Sequence, residues 1–264
     1  MKHLPPSRDG DGVQISRDPM NILAQFRDAP DFAGAGQFEV HLRRLWSVVE
    51  LLASKDERLA QWYLTGDTEF EARLHPVFEA PGVPSSAISA VLSIRYEGAR
   101  KNRPKVMGFW NGHNSSTDGA QLKLSIDTGV MPSEVEVDLP EQAEPTQRLG
   151  DYAAMEDGVS VIARLYNPAY VSVAPRAYFG KQVFDDKPGV GWMLYLPKVI
   201  TVQQVPEARA LIPVLEAGEK QIGTIIVSIT DGVFSADNPE HVKVANHIEI
   251  RLVAQDLLPA YADI

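Results

Sequence analysis

The sequence predicts an α+β protein in which a mixed or mostly antiparallel sheet packs against about three long helices. Two observations lead to this prediction. Three segments carry apolar residues at helical spacing, and short alternating or β-branched runs lie between them. The chain has 264 residues, of which 44% are hydrophobic and 23% charged, so it is long enough for one large core or two smaller ones.

Domain boundaries follow from the same pattern. Residues 1–36 are expected to be an irregular or partly extended lead-in, because they are rich in Pro, Gly and Asp and have little sustained period. Residues 37–264 are expected to form the folded domain. The order of elements allows two similar α+β halves, 37–143 and 144–264, although no residue-level repeat supports a duplication.

Three helices are predicted from their apolar stripes. The first has the stripe Phe38, Leu42, Leu45, Trp46, Val49, Leu52 and Ala53, and the second has Tyr152, Met155, Val159, Ile162, Ala163 and Tyr166. His41 and Arg44 lie off the first stripe and are expected to be solvated. In the third helix, Asn238 is a suitable N-cap and Pro239 suits the first helical position, with an end expected near Gln255.

Strands are predicted where the period changes to two or where β-branched residues run together. They cover residues 106–110, 121–127, 134–139, 170–173, 192–196 and 223–230. A short strand or strand-like connection is expected within 59–64. The segments 85–96 and 208–215 are apolar enough for a strand or a helix, and the sequence leaves both assignments open.

The predicted strand at 134–139 is unusual in its charge pattern. Glu134, Glu136 and Asp138 alternate with apolar residues, so they should form a row of carboxylates on one face. Residues 124–147 contain six acidic residues and no Lys or Arg. This row could be a solvated or edge-protecting face, or a docking surface for a basic partner. Asp185 and Asp186, in a Pro- and Gly-rich loop, are a second acidic candidate.

Composition excludes several classes of function. The formal net charge of −10 argues against direct binding of nucleic acid or of an anionic membrane. The absence of cysteine excludes disulfides, thiolate metal sites and a cysteine nucleophile. No apolar run approaches the roughly 20 residues of a membrane span, and the N-terminus lacks the apolar core of a signal peptide, so a cytoplasmic location is expected.

No catalytic motif is recognisable. Gly189 and Gly191 precede a predicted strand instead of following one, which excludes a dinucleotide fingerprint. His241 and His247 are six residues apart on one helix and should point to different sides, so no metal site is expected. No cofactor is expected either. The enzyme alternative is a hydrolase that uses a carboxylate or His113 in a loop-built pocket.

Several motifs, taken in order, resemble immunity protein family 52 of bacterial polymorphic toxin systems. They are Arg148-Leu149-Gly150-Asp151-Tyr152, Gly189-Val190-Gly191-Trp192-Met193-Leu194-Tyr195-Leu196-Pro197, Gly223-Thr224-Ile225-Ile226-Val227, and Phe234 followed by Asn238-Pro239-Glu240-His241. The resemblance is clearest over residues 147–259 and extends from about residue 37. It implies structural roles for seven motif residues: Gly189, Gly191, Trp192, Tyr195, Pro197, Asn238 and Pro239.

The resemblance also implies a function. Members of the family are cytoplasmic antidotes that bind a cognate toxin, often a restriction-endonuclease-like nuclease delivered by contact-dependent or type VI secretion and encoded by an adjacent gene. They have no catalytic residues. The expected toxin-binding residues are Glu134, Glu136, Asp138, Asp185 and Asp186. A third alternative, besides antidote and hydrolase, is an adaptor or chaperone of the secretion machinery.

Overall fold

A computed structural model describes residues 19–29, 31–34, 36–97, 103–140, 148–149, 152–216 and 219–264. Within them the chain forms, in order, β1 (Met20–Phe26), α1 (Phe38–Lys55), β2 (Tyr63–Leu64), α2 (Glu69–Arg73), β3 (Phe78–Ala80), β4 (Val83–Pro84), α3 (Ser86–Arg95), β5 (Lys105–Trp110), β6 (Gln121–Ile126), β7 (Ser133–Leu139), α4 (Tyr152–Tyr166), β8 (Tyr170–Pro175), β9 (Met193–Leu196), β10 (Ala210–Leu215), β11 (Gln221–Val227) and α5 (Pro239–Ala254). No helix in the described part of the chain is long and apolar enough to cross a membrane.

Nine of these strands form one antiparallel sheet in the order β10-β11-β9-β8-β1-β7-β6-β5-β2, and β3 and β4 form a separate hairpin. The α+β prediction is confirmed, as are the three long helices α1, α4 and α5. Helix α4 packs against α1 and against β1, β8, β9, β10 and β11, the strands of the second half of the sheet together with its central strand. All four residues of β9 are buried, so this part of the sheet is covered on both faces.

Strand β1 lies in the segment expected to be an irregular lead-in, and it is instead the central strand of the sheet. It pairs along its whole length with β7 and over six residues with β8. Met20, Ile22, Ala24 and Phe26 are at most 1% exposed and form its core face. The prediction was wrong here because the many Pro, Gly and Asp residues of this part of the chain hid a short period of two. In it the four core residues alternate with Asn21 and Gln25, whose side chains bond to carboxylates of β7 on the other face of the sheet.

Strand β1 also separates the two predicted halves. From the centre outward, the first half contributes β7, β6, β5 and β2, whereas the second contributes β8, β9, β11 and β10. The chain therefore moves towards the centre in the first half and away from it in the second, except that it returns inward from β10 to β11. That the two halves are similar stays a prediction.

Helix α1 has the predicted apolar stripe, but two of its polar residues lie in unexpected surroundings. His41 is only 1% exposed, so the prediction that it is solvated was wrong. Its Nε2 lies 3.2 Å from the carbonyl oxygen of Gly34, and burial lowers its pKa. Arg44 forms an ion pair with Asp28 at 2.5 Å. The segment that follows β1 therefore covers a second side of α1.

Both open assignments are resolved by the structure. Residues 86–95 form helix α3, and residues 210–215 form β10, the edge strand of the sheet. Pro213 lies in this edge strand, where the missing N–H is tolerated. Strand β11 is covered on both faces over its last five residues, as expected from its β-branched run, although it is next to the edge strand.

Candidate functional site

Strand β7 presents Glu134, Glu136 and Asp138 on one face, as their alternation predicts. Their side chains are 27%, 12% and 10% exposed, in that order. The strand lies between β1 and β6, so it is not an edge strand. The prediction that these carboxylates form an open row of negative charge was therefore wrong, because neighbouring strands largely cover all three side chains.

Strand β1 supplies amide donors to this row. Asn21 Nδ2 donates to Glu136 Oε1 and to Asp138 Oδ1, both at 2.9 Å. Gln25 Nε2 donates to Glu134 Oε1, also at 2.9 Å. Asn21 is itself 2% exposed. These bonds explain why a central strand carries two polar side chains, since each one satisfies carboxylates across the sheet.

Two cations complete the network. Lys123 Nζ on β6 lies 2.5 Å from Glu136 and 3.5 Å from Glu134. Arg176, just after β8, donates to Glu136 at 2.7 Å and to Asp138 at 2.6 Å. Three carboxylates thus face two cations. Burial would raise the pKa of Glu136, but Lys123, Asn21 and Arg176 outweigh burial and the pKa is lowered.

The second acidic candidate is exposed, as expected for a Pro- and Gly-rich loop. Asp185 and Asp186 are both exposed, and the Asp186 side chain is 64% accessible. The main-chain oxygen of Asp186 accepts from the N–H of Tyr261 at 2.9 Å. Tyr261 contacts the ring of Tyr170 on β8, whose partner on β1 is Gln25. This loop therefore reaches the same face of the sheet as the β7 carboxylates.

The glycines of the motif around Trp192 allow close backbone approach. Gly191 has φ of +52°, and a Cβ there would lie 2.4 Å from Ala174 Cβ. This approach lets the N–H of Trp192 donate to the Val173 carbonyl at 2.8 Å, while the indole N–H donates to the Ile229 carbonyl at 3.0 Å. Trp192 is 1% exposed and lies in the core.

A buried carboxylate, Glu249 on α5, organises the loop before this motif. It accepts from the Tyr178 hydroxyl at 2.6 Å and from the N–H groups of Val183 and Val190 at 2.8 and 2.9 Å. Burial raises its pKa. A Cβ at Gly189 would lie 2.7 Å from Gln182 Oε1. Sequence reasoning missed Glu249, although it lies four residues after Ala245 and therefore on the inward-facing stripe of α5.

The remaining motif residues have plain structural contacts. Tyr195 lies over Gly223, where a Cβ would come 2.4 Å from its ring. Pro197 is exposed just after β9. The Asn238 side chain accepts from the N–H of Glu240 at 3.0 Å, and Pro239 is the first residue of α5, as predicted.

Arg148, the first residue of its motif, joins the segment before α4 to the end of α1. Its Nε donates to Asp56 Oδ2 at 2.8 Å, and Arg58 Nε donates to Asp56 Oδ1 at 2.9 Å. The side chains of Arg148 and Asp56 are 1% and 6% exposed. Burial acts to raise the pKa of Asp56, but the two guanidinium groups lower it to about 2. Gly150 and Asp151 lie outside the described residues.

The histidines considered for chemistry are dispersed. His113 is exposed in the loop after β5. His241 and His247 line two different grooves on either side of α5, as their spacing predicts. In the described part of the chain, no group of three or more His, Asp or Glu side chains could hold a metal ion.

Sequence reasoning also missed a solvent-facing apolar pair formed by the short helix α2 and its C-cap residue. Phe70 is 74% exposed and Leu74 is 58% exposed. A Phe between two Glu residues is a sequence sign of an exposed aromatic side chain, but the five-residue helix is too short to show an apolar period.

Comparisons with known proteins identify the family. No curated protein matches this chain. Among solved structures, the Pseudomonas aeruginosa T6SS protein PA0821 matches with a TM-score of 0.49 and 10% identity, over 89% of this chain and 76% of that chain. The model of the family described as Imm52, immunity protein 52, matches residues 35–261. The chain therefore belongs to the immunity protein 52 family.

Proposed function

We propose that this protein binds a cognate secreted toxin in a stoichiometric complex and neutralises it without catalysis. The observation that supports the proposal is the family match, which covers residues 35–261 and hence nearly all of the folded domain. An immunity protein protects the cell that makes it from a toxin, and the simplest way to do so is to occupy a surface that the toxin needs.

The contacts of the buried carboxylates favour binding over the hydrolase alternative. Glu249 is occupied by three donors and Asp56 by two arginines, so neither is available to a substrate. Asp118, the carboxylate nearest to His113 in the chain, accepts from Ser115 and pairs with Arg58. These groups stabilise loops, which is a structural use of charge.

For the toxin, we propose a nuclease of restriction-endonuclease type, delivered by type VI or contact-dependent secretion and encoded by an adjacent gene. A nuclease needs a basic groove for phosphates, and this chain has a formal net charge of −10. Opposite charges speed the encounter of two proteins and disfavour wrong partners. The complex would form in the cytoplasm.

The proposed contact surface includes the five acidic residues predicted from the sequence. Among them Asp185, Asp186 and Glu134 are the more accessible. Glu136 and Asp138 are already paired with Arg176, so they would contribute by fixing the sheet face beneath the contact.

Coexpression with the toxin encoded beside this gene tests the proposal. We expect protection of the cell, copurification, and a one-to-one complex by calorimetry. Replacing His113, Asp185 and Asp186 together with Ala should weaken binding at most and leave protection detectable, because none acts as a catalyst. Complete loss of protection with an intact fold and intact binding would favour the enzyme instead. Affinity for a delivery segment but not for the toxic domain would indicate an adaptor.

A further inference from the structure

Helix α2 and its C-cap residue, Leu74, expose two large apolar side chains. Phe70 and Leu74 are 74% and 58% exposed, and they are four residues apart, so they are neighbours on the helix surface. Ala72 is 4% exposed and faces the protein. An exposed aromatic beside an exposed leucine is the kind of feature that is buried when a partner binds.

The helix is fixed in place by polar contacts on its other sides. Thr68 and Glu71 form a capping box, in which each side chain bonds the backbone N–H of the other residue, at 3.2 and 3.1 Å. Arg73 donates to the Gly112 carbonyl at 2.6 Å, and Glu69 accepts from Asn114 at 2.5 Å. The apolar pair is therefore presented by an ordered element, which reduces the entropy lost on binding.

The surroundings of Phe70 are acidic. Asp67, Glu69 and Glu71 lie within three residues of it and are all exposed. The only basic residue in 65–74 is Arg73. Its side chain is 46% exposed and pairs with Glu69 at 2.9 Å, and the same guanidinium lies 5.2 Å from the ring centroid of Trp110 and donates to Gly112. The apolar pair is thus bordered by three carboxylates and one arginine, which leaves residues 65–74 with a formal charge of −2.

We propose that α2 is an anchor for the toxin, with Phe70 and Leu74 inserting into an apolar recess that is bordered by Lys or Arg side chains. The inference rests on the proposed function and adds an apolar anchor to the acidic contact surface proposed above. Its basis is charge complementarity: a rim with a formal charge of −2, after Arg73 has paired with Glu69, fits a basic protein and repels an acidic one, such as a second copy of this chain.

The test is the affinity of the purified full chain for the adjacent-gene toxin, measured by calorimetry for the unaltered protein, Phe70→Ala and Val202→Ala. Val202 is a matched control, because it is 65% exposed and lies in the turn after β9, six strands away from β2, the strand that α2 contacts. We expect Phe70→Ala to weaken binding at least about tenfold and Val202→Ala to leave it unchanged. Both variants should melt at the temperature of the unaltered protein.

The outcomes separate this inference from the proposed function. If the unaltered protein does not bind the toxin, the proposed function is wrong. If it binds and Phe70→Ala binds equally well, the toxin contacts another surface and the inference about α2 is overturned. If Phe70→Ala instead converts an oligomer into monomers with unchanged toxin affinity, the occupant is a second copy, which also overturns it.

Discussion

At the residue scale, removing the negative charge of Asp56 should measurably lower the free energy of unfolding. Its pKa is lowered to about 2 because Arg58 and Arg148 outweigh burial. A lowered folded-state pKa means that the stabilisation is present above the unfolded pKa and is lost as pH falls towards 2. We expect Asp56→Asn to reduce the free energy of unfolding by about 2 kcal/mol at neutral pH. Denaturant titrations between pH 7 and pH 3 should show the difference shrinking with acid, and a constant difference would contradict this assignment.

Two glycines should respond in opposite ways to the same substitution. Gly191 has φ of +52° and a Cβ there would lie 2.4 Å from Ala174, so Gly191→Ala should destabilise the protein by at least about 2 kcal/mol. Gly158 lies in α4, and a Cβ there would meet nothing within 4 Å. Gly158→Ala should therefore stabilise it by about 0.5–1 kcal/mol. Equal effects of the two variants in thermal melts would show that neither environment is as described.

At the scale of elements, the sequence is informative where the apolar period is long. Helix α5 begins at the predicted Pro239 and ends at Ala254, next to its expected end at Gln255, because stripe and N-cap agree, and the apolar stripe predicted for α4 runs the length of Tyr152–Tyr166. Strand β1 was missed because its polar residues bond groups on β7, and the Asn21–Glu136 pair joins positions 115 residues apart. Distance along the chain also limits what can be predicted for the carboxylates of β7. Their alternation predicts a common face, but not the pairing with Arg176, which lies 40 residues from Glu136.

Strand β1 lies outside the residues matched by the family model, yet it joins the two halves of the sheet. A chain that starts at residue 35 would leave the facing edges of β7 and β8 unpaired, and unpaired strand edges aggregate. We expect this shortened chain to be insoluble or to unfold without cooperativity. A chain that starts at residue 19 keeps β1 and is the control. Cooperative thermal unfolding of the shorter form, followed by circular dichroism, would show that β1 is dispensable.

At the scale of the whole molecule, acidity and apolar contact should act on different rate constants. Exposed charges steer association, whereas buried anchors slow dissociation. Replacing Asp185 and Asp186 together with Lys should slow toxin association and reduce its dependence on salt, with no loss of stability, because both side chains are exposed. Phe70→Ala should mainly accelerate dissociation.

Charge reversal on β7 provides the contrast. Glu136→Lys would place a third cation beside Lys123 and Arg176, so it should lower the melting temperature as well as affect binding. Glu134→Lys should lower the melting temperature less, because the Glu134 side chain is 27% exposed. Stopped-flow association at low and high salt, combined with melting curves, separates the two effects. If the variant with Lys at both 185 and 186 and the Glu134→Lys variant each associate with the toxin as fast at low salt as the unaltered protein does, these acidic residues do not steer the toxin. The carboxylates around α2 would then be the residues to test for steering.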